Sequence, residues 1–263
     1  MVTLLLCLVQ GGKAASSQGM RGIIGYDTSD GLPNNWIKDV VQDKSGYIWV
    51  ATNEGICRFD GNGFHVPSFV SCQRDFSRNI NDLYVGEDNV LWAATDESLL
   101  SLDLKTNKTT VVRTGVRALC LTKDSNGNLW CVIDDAAMRY GPDNSWHDYR
   151  DVGVRRICSS NAGQIWMTSN DGSLFRFDSS DDSFKKLPEQ MSLPGNTKFN
   201  LMSCLDERTL ILSSSSNDVF LFDTATGKWN QIFDSVRDAD GALVLSVCHF
   251  LPYEFFVATD SGL

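Results

Sequence analysis

Three histidines, eight cysteines and a recurring set of acidic and amide residues are the groups in this chain that could do chemistry. His65, His147 and His249 are scattered, and no two have the spacing of a zinc-ligand pair, so no metal is expected. The chain has no Gly-X-Ser-X-Gly elbow, phosphate loop or dinucleotide fingerprint, so neither catalytic residues nor a cofactor is expected. Asp124-Ser125-Asn126-Gly127-Asn128 opens like a calcium loop, but Leu129 stands where that loop needs its turn glycine. It reads as a hairpin turn.

The polar residues recur more regularly. Asn53-Glu54, Asp96-Glu97, Asp134-Asp135, Asn170-Asp171, Asn217-Asp218 and Asp260 each follow a short apolar run. The first four pairs, with Asn34-Asn35-Trp36, make the candidate ligand-binding set. Amides and carboxylates suit the hydroxyls of a sugar or a cation, and an indole face suits stacking. Asn and Asp are also the residues that tight turns prefer for backbone reasons alone. Both readings stand at this point.

Those residues sit on a repeat. Asp43-Lys44-Ser45-Gly46-Tyr47-Ile48-Trp49-Val50-Ala51-Thr52 returns in altered form at 87–96, 124–133 and 161–170, with degraded copies at Arg208–Ser214 and Tyr253–Thr259. Trp49, Trp92, Trp130, Trp166, Ile211 and Phe256 hold the anchor position, about 41 residues apart, the period of a four-stranded propeller blade. Within the first unit, strands are expected at Ile37–Gln42, Tyr47–Thr52, Ile56–Asp60 and Phe64–Ser68, separated by Gly, Asn and Asp turns. No segment keeps a helical period. The fold class is all-β: a β-propeller of four-stranded blades, incomplete, with about five full blades and a partial sixth. Gly22–Asp27 is the candidate strand to complete a last blade. A large aromatic recurring once per blade is expected to pack blade against blade.

Composition agrees with a packed domain: 42% hydrophobic, 10% aromatic and 21% charged residues. A net charge of −10 leaves no basic face for nucleic acid, and the pairs Arg155–Arg156 and Lys185–Lys186 read as solvated side chains. Cys120, Cys158, Cys204 and Cys248 precede their anchors by ten, eight, seven and eight residues, close to one place in the first strand. One thiol per blade implies neighbours too far apart to bridge, so buried free thiols are expected. Residues 1–21 read as the remnant of an export signal or a disordered tail, because an apolar run from Val2 to Val9 leads to small residues. The propeller fragment occupies 22–263.

Gly31-Leu32-Pro33-Asn34-Asn35, Ile37, Val40, Asp43, Gly46, Ile48-Trp49-Val50-Ala51-Thr52, Gly55-Ile56 and Arg58-Phe59-Asp60-Gly61 resemble the two-component regulator propeller repeat. The resemblance is closest in the first repeat and fades in the fifth and sixth. It implies the periplasmic sensor region of a hybrid two-component histidine kinase of the Bacteroides type, with seven-bladed propellers in pairs. It also implies an oligosaccharide signal, a homodimeric parent receptor, and attachment to the inner membrane through segments beyond this one.

Three functions remain open on the residues alone. The chain is a ligand-sensing propeller, a protein-binding or dimerisation scaffold, or a carbohydrate-active or lyase-type enzyme. Fold does not choose among them.

Overall fold

The computed structural model describes residues 26–67, 78–191, 193, 197–239, 241, 243–251 and 254–259. Five four-stranded antiparallel sheets and one two-stranded sheet follow one another along the chain, each meandering from its first strand to its last. The first blade is β1 (Ile37–Gln42), β2 (Ile48–Thr52), β3 (Gly55–Phe59) and β4 (Phe64–His65). The second is β5 (Ile80–Val85), β6 (Val90–Thr95), β7 (Ser98–Asp103) and β8 (Lys108–Thr114). The third is β9 (Ala118–Lys123), β10 (Leu129–Ile133), β11 (Ala136–Tyr140) and β12 (Trp146–Tyr149). The fourth is β13 (Val154–Ser159), β14 (Ile165–Ser169), β15 (Leu174–Asp178) and β16 (Ser183–Lys186). The fifth is β17 (Phe199–Cys204), β18 (Thr209–Ser214), β19 (Val219–Asp223) and β20 (Trp229–Phe233). A five-residue helix, α1 (Ser235–Ala239), then leads to β21 (Val244–Leu251) and β22 (Glu254–Thr259).

The burial patterns explain why each unit becomes a blade. The second strands β2, β10 and β14 are buried along their whole length, since a blade in the middle of a stack is covered on both faces. The fourth strands β8, β12 and β16 are largely exposed and carry Lys, Arg or Asp, which discourages edge pairing. β4 is shorter than the expected Phe64–Ser68, ending at His65, and residue 68 lies outside the described residues. Of the expected strand Gly22–Asp27, only Tyr26 and Asp27 are described. The Tyr26 ring packs on Phe59 and Phe64 of the first blade, each at 5.3 Å.

The anchors pack as expected. Trp49, Trp92, Trp130 and Trp166 are all buried, and four hydrophobic clusters each join one of these anchors to the neighbouring blade's strands, while the Phe256 side chain lies outside the described residues. Trp130 is the most enclosed, with Phe177 of the next blade edge-on at 4.6 Å and Tyr149 stacked at 5.3 Å.

Every inner strand carries a register shift near its third residue, at Asp39, Asp82, Arg156, Leu201 and Ser246, while in the third blade it falls opposite Cys131 on β10. Such a bulge sharpens twist and re-aims a side chain. Here Asp39 accepts the Leu83 N–H of the next blade at 2.9 Å, and Asp82 accepts the Leu121 N–H of the blade after at 2.5 Å.

Candidate functional site

The polar turns between second and third strands come together with the segments leading into the first strands. The Asn53 N–H donates to the Trp36 carbonyl at 3.3 Å, the Asp134 N–H to the Arg117 carbonyl at 3.3 Å, and the Asn170 N–H to the Gly153 carbonyl at 2.8 Å. These residues thus share one rim of the propeller. Trp36 is 58% exposed there, with the Lys38 ammonium 5.8 Å from the indole centroid.

Turn chemistry accounts for much of the recurring composition. The last residue of the second strand is a hydroxyl that closes the turn: Thr52 accepts the Glu54 N–H, Thr95 the Glu97 N–H and Ser214 the Asp218 N–H, each at 3.1 Å. The third blade has Ile133 instead of a hydroxyl. Its turn is made by Asp134 and Asp135, with φ of 48° and 62°, the left-handed pair of a two-residue hairpin.

Several of the predicted side chains are engaged inside the protein. Asn34 Oδ1 accepts the Trp36 N–H at 2.7 Å and Asn35 Oδ1 the Thr28 N–H at 2.9 Å. Asp96 accepts from Asn79 at 2.5 Å, Asn81 at 3.0 Å and Arg117 at 3.4 Å. Burial opposes ionisation of Asp96, but hydrogen bonds from Asn81, Asn79 and Arg117 outweigh it and hold the carboxyl below its ordinary range. Hydrogen bonds from the Ser169 hydroxyl and the Ser173 N–H do the same for Asp171. Glu54, Glu97, Asp134, Asp135, Asn170 and Asp171 stay exposed on the rim. Asn53 contributes a buried Oδ1 that has no hydrogen-bond partner among the described residues.

Below this rim the inner strands enclose a channel cavity of about 620 Å³, large enough for a small ligand. None of the predicted turn residues among those described lines it; Asp260 lies outside the described residues. Its polar wall comes from Lys38, Asp39, Asn81, Asp82, Arg117 and Arg156. Water reaches Asp39 and Asp82 through the channel, yet protein surrounds them on nearly every side. That burial raises the Asp39 carboxyl, and burial together with the Asp39 charge raises Asp82 well above its ordinary range. Backbone N–H groups and Arg156 oppose the shift without cancelling it. The two acids act as one titrating unit.

Two expectations fail in the channel. Arg155 and Arg156 are not a solvated pair. Arg155 donates to the Phe199 carbonyl at 2.7 Å and to Asn200 Oδ1 at 2.6 Å, while Arg156 lines the cavity, because the bulge turns this strand face inward. The cysteines hold nearly one place, as the spacing suggests: Cys158 and Cys248 lie opposite their anchors Trp166 and Phe256, and Cys204 one residue on, opposite Leu210, with Cys120 apart in the bulged stretch of β9, φ +49°. The expectation that neighbours are too far apart to bridge fails, since Cys158 Sγ and Cys204 Sγ are 3.1 Å apart. Inner strands of adjacent blades converge on the channel, and one-per-blade spacing ignored that convergence. Cys120, Cys158 and Cys204 are free thiols; Cys248 and His249 have side chains outside the described residues.

The remaining motifs are outer features. His65 contacts Asp60 at 2.9 Å in a blade-edge hairpin, and His147 lies on the outer strand β12. Asp124–Asn128 forms the β9–β10 turn, closed by the Gly127 N–H donating to the Asp124 carbonyl at 3.1 Å.

Residues 31–54 match the two component regulator propeller family, over the stretch where the sequence resemblance is closest. No curated protein matches the chain. The extracellular domain of a hybrid two-component system from B. thetaiotaomicron superposes with a TM-score of 0.69 at 18% identity. The match covers 86% of this chain and 30% of that one, so the chain spans under a third of the receptor domain it resembles. A catalytically inactive virginiamycin B lyase from Staphylococcus aureus with quinupristin gives a TM-score of 0.70 at 13% identity, covering 91% and 82%. YCF48 from Cyanidioschyzon merolae gives 0.65 at 12%, covering 93% and 84%. At these identities the likenesses establish the propeller fold. No helix among the described residues is long and apolar enough to cross a membrane.

Proposed function

We propose that this propeller is the ligand-recognition part of an extracytoplasmic two-component sensor, in the periplasm, and that it binds an oligosaccharide without changing it. The observation that carries the reading is the regulator-propeller repeat at 31–54, which itself contributes Asn34, Asn35, Trp36 and Asn53 to the rim. An exposed indole beside exposed carboxylates and amides suits sugar rings, which offer apolar faces and many hydroxyls. The receptor-domain likeness supports the same assignment. In that setting the ring has seven blades, the parent receptor is a homodimer with a kinase beyond the membrane, and this segment contacts neither nucleic acid nor lipid.

The segment is read as non-catalytic. Its likeness to a lyase is one of fold, and of the histidines with described side chains, His65 and His147 sit on outer strands, while His249 lies on the inner strand β21 with its side chain outside the described residues.

Calorimetry on the whole ectodomain tests the proposal, with oligosaccharides titrated into the parent, Trp36→Ala and Glu54→Ala proteins. A loss of affinity of tenfold or more in Trp36→Ala is expected. Unchanged affinity in both variants removes this rim, and turnover of the sugar overturns the sensor reading.

A further inference from the structure

The seam between the fourth and fifth blades holds two thiols in contact. Cys158 on β13 is buried and Cys204 on β17 is half-buried, and both line the channel with their sulfurs 3.1 Å apart. A disulfide needs about 2 Å, so closing the pair requires a shift of roughly 1 Å. Polar latches on either side fix the two inner strands in this register. Arg155 reaches across to the Phe199 carbonyl and to Asn200 on one side. On the other, Glu207 accepts the Ser160 hydroxyl at 2.6 Å and the Ala162 N–H at 2.7 Å. A seam clamped at both ends keeps the sulfurs together without help from a bond between them.

We propose that Cys158 and Cys204 form a reversible disulfide across this seam, made by exchange with an external disulfide admitted to the channel. Cys204, the more exposed sulfur, gives up its proton and attacks one sulfur of the reagent R–S–S–R. The first RS⁻ leaves and takes a proton. Cys158 then loses its proton, attacks Cys204 Sγ and expels the second RS⁻. One S–S bond is broken and one is made, the two electrons from the cysteines end on the reagent sulfurs, and two RSH are released. Burial keeps Cys158 protonated until that second step, which fits a resolving role. Among the described residues, the other buried thiols, Cys57 and Cys131, are pushed up to about 12 by burial and touch no second sulfur, which disfavours their oxidation.

The test uses the full chain, folded, treated with oxidised glutathione, then alkylated in denaturant and digested with trypsin without reduction. The expected product joins the peptide 157–176 to the peptide 199–208, with the melting temperature raised on the order of 5 °C and restored by dithiothreitol. Free thiols at both positions, or a cross-link from either to Cys120, overturns the proposal. Cys158→Ser should trap glutathione on Cys204, whereas Cys204→Ser should trap none on Cys158. The opposite pattern overturns the order of attack.

Discussion

Asp43 Oδ2 accepts the indole N–H of Trp49 at 2.8 Å, six residues downstream, while its Oδ1 accepts the Ser45 and Tyr47 N–H groups of the turn. One carboxylate therefore closes the turn and satisfies the anchor. Asp124 does the same for Trp130, also at 2.8 Å. In the second blade the position is Gly86, and the buried Trp92 Nε1 has no hydrogen-bond partner among the described residues. Removing Asp43 should leave a buried N–H unpaired, at a cost of about 1–3 kcal/mol. Urea unfolding of Asp43→Ala, followed by tryptophan fluorescence, measures it. A loss below about 0.5 kcal/mol, the level of an ordinary surface change, sinks the assignment.

The Asp39–Asp82 pair makes a pH prediction. Both carboxyls are raised in the folded state, so folding favours the protonated pair. That contribution is fully present below about pH 4, where the unfolded groups titrate, and it is lost as pH rises through the raised folded values. Asp82→Asn removes the buried charge and keeps an acceptor for the Leu121 N–H. The variant should unfold at higher urea than the parent at pH 8, with the gap closing toward pH 4. A gap independent of pH contradicts the shared titration.

Gly163 and Gly127 have nearly the same left-handed backbone, φ +81° and +79°, in equivalent turns of adjacent blades. A Cβ at Gly163 would stand 2.1 Å from the Ser125 nitrogen across the seam, whereas one at Gly127 meets nothing within 4 Å. Both alanine variants lose about 1–2 kcal/mol to backbone strain. Gly163→Ala should lose about 2 kcal/mol more, and equal losses would mean that the seam yields freely.

Trp36→Ala should leave stability within about 0.5 kcal/mol of the parent, because the ring is 58% exposed. Thermal melts check this, and a larger loss would show that Trp36 supports the first blade rather than a ligand.

The repeat was legible because blade architecture writes itself locally: a tight turn, a buried anchor and, in every full blade but the third, a Thr or Ser closing the next turn, all within ten residues. The rim was legible for the same reason, since Asn53 and Trp36 belong to one unit. The channel was not. Asp39, Asp82, Arg156, Cys158 and Cys204 come from four blades, and their meeting depends on inner-strand convergence and on bulges that no single repeat displays. Aligning the repeats strand by strand brings Asp39 and Asp82 to one position. Even that alignment sets Cys158 and Cys204 one residue apart and conceals their contact.

Four cross-blade hydrogen bonds of the inner strands run from a side chain to the backbone of the next blade: Asp39 to Leu83, Asp82 to Leu121, Asn81 to the Ala118 carbonyl and Arg155 to that of Phe199. At the third strand a sulfur takes the carboxylate's place, with Cys120 facing the Ile157 N–H. Sulfur is a weak acceptor. The third seam compensates away from the missing carboxylate: Thr122 and Ser159 meet hydroxyl to hydroxyl at 2.5 Å, and Arg139 grips Asp182 with both guanidinium nitrogens. Mechanically, the blades are linked by forward hooks, and load that a buried carboxylate carries at the first two seams is handed outward to an ion pair at the third.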